Sequence, residues 1–347
     1  MEALVIHAPH DLRLDHIADA PAPGPGHVRV AVSHGGICGS DLHYFQHGGF
    51  GTVRLREPMA LGHEVSAIVT DIGAEVDGLL PGDRVAVNPS QPCGTCRYCL
   101  AGQANQCLDM RFNGSAMRFP HEQGLFRAAL TLPAARVVRL SPDADLALAA
   151  MAEPLAVCLH AVRGAGALTG ARVLVSGCGP IGCLTVAAAR HAGAAQIIAT
   201  DISASALKMA AQMGADQLID LSQDPQGLQP LTDNKGQIDV AFECSGAPQA
   251  FAGVAQVVRA GGQLITVGLG PDVALPLTQI VTRELRIQGS FRFDAEFATA
   301  ARLIDQGRIN PRPLLTRVLP ASQATEAFEL AADKTRAMKV QIAFDAL

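Results

Sequence analysis

Residues 172–201 read RVLVSGCGPIGCLTVAAARHAGAAQIIATD, and this stretch limits the fold more than any other. The apolar run RVLVS has the texture of a strand buried on both faces. It breaks at Gly177-Cys-Gly179-Pro-Ile-Gly182, and an alanine-rich, helix-favouring segment follows. A second apolar run, QIIAT, ends in Asp201, 24 residues after Gly177. Glycines between a strand and a helix let backbone amides approach a pyrophosphate at the helix N-terminus. An acid closing the next strand accepts hydrogen bonds from ribose hydroxyls, and its charge repels a 2′-phosphate. GxGxxG alone is a generic glycine turn. In this setting it reads as a dinucleotide site, with NAD favoured over NADP.

The alternation continues downstream. Strands are expected in IDVAFECSG (238–246), GGQLITVGLG (261–270) and ELRIQGSF (284–291), with a helix over 248–260. That pattern is a doubly wound parallel sheet. Residues 1–140 differ: short β-rich runs (HVRVAV, VSAIVTDIG, DRVAV, ARVVRL) are separated by Pro and Gly, as in a partly closed β domain. The boundary is expected within 141–154.

CGTCRYCLAGQANQC (93–107) packs four of the nine cysteines into fifteen residues. In a reducing compartment such a cluster points to metal. A disulfide pair and an iron–sulfur cluster are the rivals. The ferredoxin run, however, has a three-residue last gap followed by proline, whereas here the last gap is seven residues and Leu108 follows. Four thiolates suit a closed tetrahedral zinc shell. Cys93, Cys96, Cys99 and Cys107 therefore read as a structural zinc lobe, which leaves the chemistry to be found elsewhere.

GGICGSDLHY (35–44) and LGHEV (61–65) supply a second donor set, Cys38, His63 and Glu64. Three protein ligands with an open position are the pattern of a catalytic zinc. MAEPLAVCLHA (151–161) adds Glu153, a carboxylate in an apolar segment that is costly to bury unless paired or metal-linked.

Composition removes other classes. A net charge of −5 argues against nucleic acid or an anionic membrane as the main partner. No apolar run reaches the ~18 residues of a membrane span. MEALVIHAPHDLRLD shows no basic region followed by an apolar one. The expected compartment is the cytoplasm, with thiols reduced.

Cys38-Gly-Ser-Asp, Gly62-His63-Glu64, the four-cysteine lobe, Glu153-Pro154 and GCGPIG fall in an order that resembles the zinc-containing medium-chain dehydrogenases along essentially the full chain. Glu64 and Glu153 beside Cys38 and His63 resemble the polyol branch, typified by sorbitol dehydrogenase. The resemblance implies an α/β protein with a GroES-like β-rich catalytic domain (1–145), a Rossmann domain (146–286) and a segment (287–347) that returns to the catalytic domain. It implies two zinc ions per chain. Cys38, His63 and Glu64 would hold the catalytic one, and Glu153 would bind it directly or through water. It makes Ser40 and His43 a proton relay and places Tyr44 in the substrate pocket. Gly177, Gly179, Pro180, Ile181, Gly182, Asp201, Val267, Gly268, Phe291 and Arg292 would contact the cofactor. It also implies a homodimer or homotetramer. One position departs from the branch: the Arg often found five residues after the ribose-binding acid is Ala206 here, with Lys208 two further on. NADP use therefore stays open beside NAD.

VNPSQPCGTCRYC, DMRFNGSAMRFPH and GSFRF further resemble members that act on a sugar acid, L-idonate, at a secondary alcohol. A neutral polyol of the sorbitol or xylitol type is the alternative. A carboxylate taken from water must be paired, and Arg111, Ser115, Arg118, His121 and Arg292 are the candidates to read it. Two non-enzymatic readings compete: a zinc-free dinucleotide-binding relative and a zinc-knot scaffold that only senses the dinucleotide.

Overall fold

The computed structural model describes residues 1–344. The chain divides into two compact units: Met1–Glu153 with Phe297–Gly307 and the segment from Leu315 on, and Pro154–Glu296 with Arg308–Leu314.

The first unit is built on a seven-stranded sheet. Its path runs Val137–Arg139, Arg84–Val87, Glu64–Ile72, His27–Gly36, Lys339–Ala343, Leu315–Pro320, and Ala129–Pro133 also pairs with His27–Gly36. The pairs are antiparallel except the last two strands on the path, which run parallel. His27–Gly36 shows why the sheet forms. Val28, Val30 and Val32 alternate with polar or small residues and turn one face into the core, against Leu4, Ile6, Met59, Phe126 and Phe328. At the end of this strand Gly36 stands opposite both Glu64 and Gln341. A Cβ at Gly36 would meet Glu64 Oε2 at 2.2 Å, so only glycine lets that carboxylate lie against the strand.

The second unit is a six-stranded parallel sheet in the order Gln217–Asp220, Gln196–Asp201, Arg172–Ser176, Ile238–Glu243, Val258–Thr266, Arg286–Gly289. This is the strand order 3-2-1-4-5-6 of the doubly wound fold. The central strands RVLVS and IDVAFE are almost wholly buried and mostly apolar, with their charged residues Arg172, Asp239 and Glu243 at or near the ends, as burial under helices on both faces requires. The helix expected over 248–260 is shorter, Pro248–Val257, because the chain turns extended at Val258 to enter the next strand. Among the described residues no helix is long and apolar enough to cross a membrane.

Candidate active site

Cys38 caps the N-terminus of the helix Gly39–His47, and His63 and Glu64 lie where the strand Glu64–Ile72 begins. One residue brings these turns together. The buried carboxylate of Asp41 accepts from Cys38 N–H through Oδ2 at 3.0 Å and from Gly62 N–H through Oδ1 at 3.1 Å. The result is a compact donor set in which a thiol sulfur, an imidazole nitrogen and a carboxylate oxygen all lie within 4.8 Å of one another. His63 is 5% exposed, and its Nδ1 has no hydrogen-bond partner, with Asp41 Oδ1 3.8 Å away. A buried imidazole left short of a partner is costly. A metal ion accepting from this ring and a carboxylate steadying it would remove that cost, so the residues present fit zinc. Burial opposes a charge on His63, but Asp41 and Cys38 outweigh it and raise its pKa well above the ordinary range. Burial pushes the Asp41 carboxyl up.

Glu153, in the first turn of the helix Ala152–Ala165, is buried beside this set without joining the three clustered donor atoms. Its charge reaches both His63 and Lys339. The neighbouring short helix Leu146–Ala149 is pinned to the sheet where Ser66 Oγ donates to Leu146 O and Gln341 Nε2 donates to Ala147 O. Lys339, from the last strand, donates to both Glu64 oxygens at 2.8 and 2.7 Å and to Ile37 O at 3.1 Å.

All nine cysteines are free. In the lobe, the Cys93–Cys99, Cys96–Cys99 and Cys96–Cys107 sulfurs lie 3.9, 3.6 and 4.0 Å apart. A disulfide needs about 2.0 Å, whereas a tetrahedron with metal–sulfur distances of about 2.3 Å has edges of about 3.8 Å. Backbone N–H groups aim inward as they would at thiolates: Cys96 N–H donates to Cys93 Sγ, and Cys93 N–H and Asp109 N–H donate to Cys107 Sγ. Amides of Thr95 and Cys96, with the Thr95 hydroxyl, lower the Cys93 pKa to about 6.

In the second unit Pro180 opens the helix Pro180–His191 directly after the glycine turn. A Cβ at Gly182 would lie 1.8 Å from Gly177 O, so glycine sets the close turn there. A Cβ at Gly179 would meet nothing within 4 Å, which leaves the open approach a pyrophosphate needs at the helix N-terminus. The Asp201 carboxylate accepts from Cys178 N–H at 2.6 Å and from Ser203 N–H at 2.8 Å, which fixes it beside the glycine turn. Val267 and Gly268 follow the strand Val258–Thr266, and their N–H groups both donate to Glu243 O. Arg292 sits at φ +55°, unusual for a non-glycine residue, with its guanidinium 5.0 Å from the half-exposed Phe291 ring.

The chain matches the alcohol dehydrogenase GroES-like domain over residues 24–142 and the zinc-binding dehydrogenase family over 180–306. It is 44% identical to the L-idonate 5-dehydrogenase (NAD(P)(+)) of Escherichia coli K12, over 91% of each chain. It belongs to the zinc-binding dehydrogenases. It is also 36% identical to the sorbitol dehydrogenase of Bos taurus, over 99% of this chain and 96% of the bovine one. The crystal structure of the Escherichia coli L-idonate 5-dehydrogenase superimposes with a TM-score of 0.94 at 41% identity, covering 99% of this chain and 98% of that one. As a zinc-binding dehydrogenase the protein is an oxidoreductase of the alcohol and polyol class that works with zinc and NAD(P).

The remaining expected residues of this dehydrogenase fall into two groups. Ser40, half-buried, and His43, exposed, stand in the helix Gly39–His47, and no hydrogen bond joins them among the described residues. Burial, His47 and Lys334 lower the His43 pKa, so the ring is neutral near pH 7 and can accept a proton. Tyr44 is only 1% exposed, and its hydroxyl accepts from Ala116 N–H, fastening the 109–122 loop to that helix. Within the loop, Arg111 is paired with Glu122 at 2.7 Å. Ser115 Oγ accepts from Met117 N–H. His121 is buried, with Nε2 accepting from Arg56 N–H and Nδ1–H donating to Arg118 O. Arg118 pairs with Asp109 through Nη2, while its Nη1 is buried and without a partner. Asp41 and Lys339 are the residues that reading the sequence missed. The first lay in plain view as an acid three residues after Cys38. The second gave no signal, being 275 residues from Glu64.

Proposed function

We propose that the protein oxidises L-idonate at C5 to 5-keto-D-gluconate with NAD(P), and runs the reverse reduction. The observation that carries the chemistry is the Cys38–His63–Glu64 donor set, with Cys38 half-buried and His63 and Glu64 buried, and its partnerless His63 nitrogen. The substrate follows from the relative 44% identical over 91% of the chain, whose name states that activity. Cys38, His63 and Glu64 hold the catalytic zinc, with Glu153 beside it, and Cys93, Cys96, Cys99 and Cys107 hold the structural one. Zinc supplies Lewis acidity at the first site, easing deprotonation of an alcohol and polarising a carbonyl. Asp41 keeps the two ligand turns together. Ser40 and the neutral His43 take the hydroxyl proton outward. Gly179, the Pro180–Gly182 turn, Val267, Gly268, Phe291 and Arg292 seat the cofactor, and Asp201 holds its adenosine ribose. Of the loop cations, Arg118 has a donor to spare and reads the carboxylate, while Tyr44 holds the loop in place.

The nine free thiols agree with a reducing, cytoplasmic setting. Relatives of this type lead us to expect a homodimer or homotetramer. The test is a kinetic comparison of L-idonate, sorbitol, xylitol and threonine, each with NAD and NADP. L-Idonate should exceed sorbitol in kcat/KM by roughly tenfold or more, the scale of one charged hydrogen bond. Equal efficiency on both would transfer the assignment to a neutral-polyol dehydrogenase, the reading the bovine relative supports.

A further inference from the structure

We propose that Arg136 is a positioning residue: through Asn113 it seats the segment 112–114 on the Gly62–His63 turn and so fixes one wall of the reaction site. The inference rests on the reading of Cys38, His63 and Glu64 as the catalytic metal centre, and it deepens that reading. Arg136 ends the short helical turn Ala134–Arg136 and is 9% exposed. Among the described residues it has no carboxylate partner: Glu122, whose charge reaches it, is paired with Arg111 at 2.7 Å. Burial lowers the guanidinium pKa to about 10, so the group stays charged near neutral pH. A buried cation is costly unless its donors are satisfied. Here Nε and Nη2 both donate to Asn88 O, at 2.9 and 2.7 Å, and Nη2 also donates to Asn113 Oδ1. Asn88 N–H returns the contact, donating to Arg136 O at 2.8 Å.

Asn113 carries the hold onward. Its Nδ2 donates to Gln123 O at 2.8 Å, and its backbone N–H donates to Pro89 O at 3.1 Å. Gln123 Oε1 in turn accepts from Ala60 N–H at 2.8 Å. Both ends of the Asn113 amide are thus engaged, and turning the side chain breaks both bonds. The residues on either side of Asn113 bear on the metal-site turn. Phe112 is buried, with its ring 5.6 Å from the His63 ring. At Gly114 a Cβ would come 2.8 Å from Gly62 O, so this backbone lies directly on the turn. Gly62 N–H is held separately by Asp41 Oδ1. Asp41 and the 112–114 segment therefore both bear on the Gly62–His63 turn, and Arg136 supplies the charge-assisted bond that keeps the segment down. An apolar side chain at 136 would fill space but could not donate to both oxygens.

The experiment uses the full chain, with zinc for kinetics and with cobalt(II) at the catalytic site for visible absorption. Arg136→Met should lower kcat/KM for L-idonate by about tenfold to a hundredfold, the scale of a small displacement at a reacting centre. The loss should fall mainly on kcat, and the cobalt band, which reports the geometry of ligands such as His63, should shift. The spectrum needs no substrate, so it decides even if a neutral polyol proves the better one. Asn113→Ala should do the same with Arg136 intact. The double variant should be no worse than the worse single one, because both changes cut one chain of bonds. A pin for stability alone would lower the thermal midpoint and leave both readouts of the folded protein as they were. A charge acting at a distance would leave Asn113→Ala normal. Either result overturns the proposal, as do losses that multiply in the double variant. Where Arg136→Met does not fold, Asn113→Ala decides alone, and unchanged kinetics and spectrum there overturn it. The underlying reading fails separately: it is wrong if Cys38→Ser retains as much metal as the unmodified chain.

Discussion

Asp201 shows how much one side chain decides. Its carboxylate is fixed by the amides of Cys178 and Ser203, so a ribose brought to it would meet an acceptor already oriented. Asp201→Ser should weaken NAD use and improve NADP use, shifting the ratio by about tenfold to a hundredfold, as expected for a charge-assisted hydrogen bond of roughly 1.5–3 kcal/mol. Steady-state kinetics with both cofactors checks this, and an unchanged ratio would show that the acid does not face the ribose. Ala206, five residues on, has no polar side chain to share the task. Arg118 belongs to the same scale. Arg118→Gln should erase the preference for L-idonate over sorbitol while leaving sorbitol turnover nearly intact, and Arg111→Gln should do much less because, although both arginines have a carboxylate partner, among the described residues only Arg118 keeps a buried nitrogen without one. Both arginines were visible in the sequence as candidates. What separates them is their partners, which folding supplies from residues 9 and 11 positions away.

At the scale of elements, the two cysteine groups should separate cleanly. Cys99→Ser should lower the thermal midpoint or the assembly state and leave turnover in the protein that remains folded, because a closed thiolate shell contributes folding energy and no open position. Cys38→Ser should do the opposite, abolishing turnover with the fold retained. Metal content, circular dichroism and activity measured on both variants decide the point; loss of turnover in a well-folded Cys99→Ser chain would refute the division. The start of the helix Glu296–Asp305 gives a pH prediction. Burial pushes the Glu296 carboxyl up, but hydrogen bonds from His160 and the Asp294 amide outweigh it and lower the pKa from 4.5 to about 2, with Arg163 2.7 Å away. A depressed carboxylate pKa stabilises the folded state above pH 4.5, and that contribution fades as pH falls towards 2. Glu296→Gln should therefore cost about 1–2 kcal/mol near pH 7, since Arg163 is largely exposed and its share is screened. The gap from the unmodified chain should close in denaturation series between pH 4.5 and 2.

For the whole molecule, the first unit's sheet decides where the chemistry sits. Its central strand His27–Gly36 takes Glu64–Ile72 on one side and Lys339–Ala343 on the other, and so lays the lysine of the last strand over the carboxylate of an early one. The dinucleotide turn, the four-cysteine cluster and the Cys38, His63 and Glu64 stretches were legible in the sequence. Their chemistry depends on residue type at short spacing, and short spacing survives folding unchanged. The parallel sheet was legible too, because strands buried on both faces must be apolar throughout. Lys339 was not, since KVQIAF reads as an ordinary strand start and a single lysine carries no sign of its partner. Nor was the role of Asp41, whose two bonds reach two different turns. Nor were the pairings that use up Arg111 and His121 and leave one nitrogen of Arg118 free. The sequence by itself determined which donor groups exist and the local turns that present them. The tertiary structure alone decided which charges face one another in the dry interior, because that choice is made by strand pairing across hundreds of residues, where no local pattern reaches.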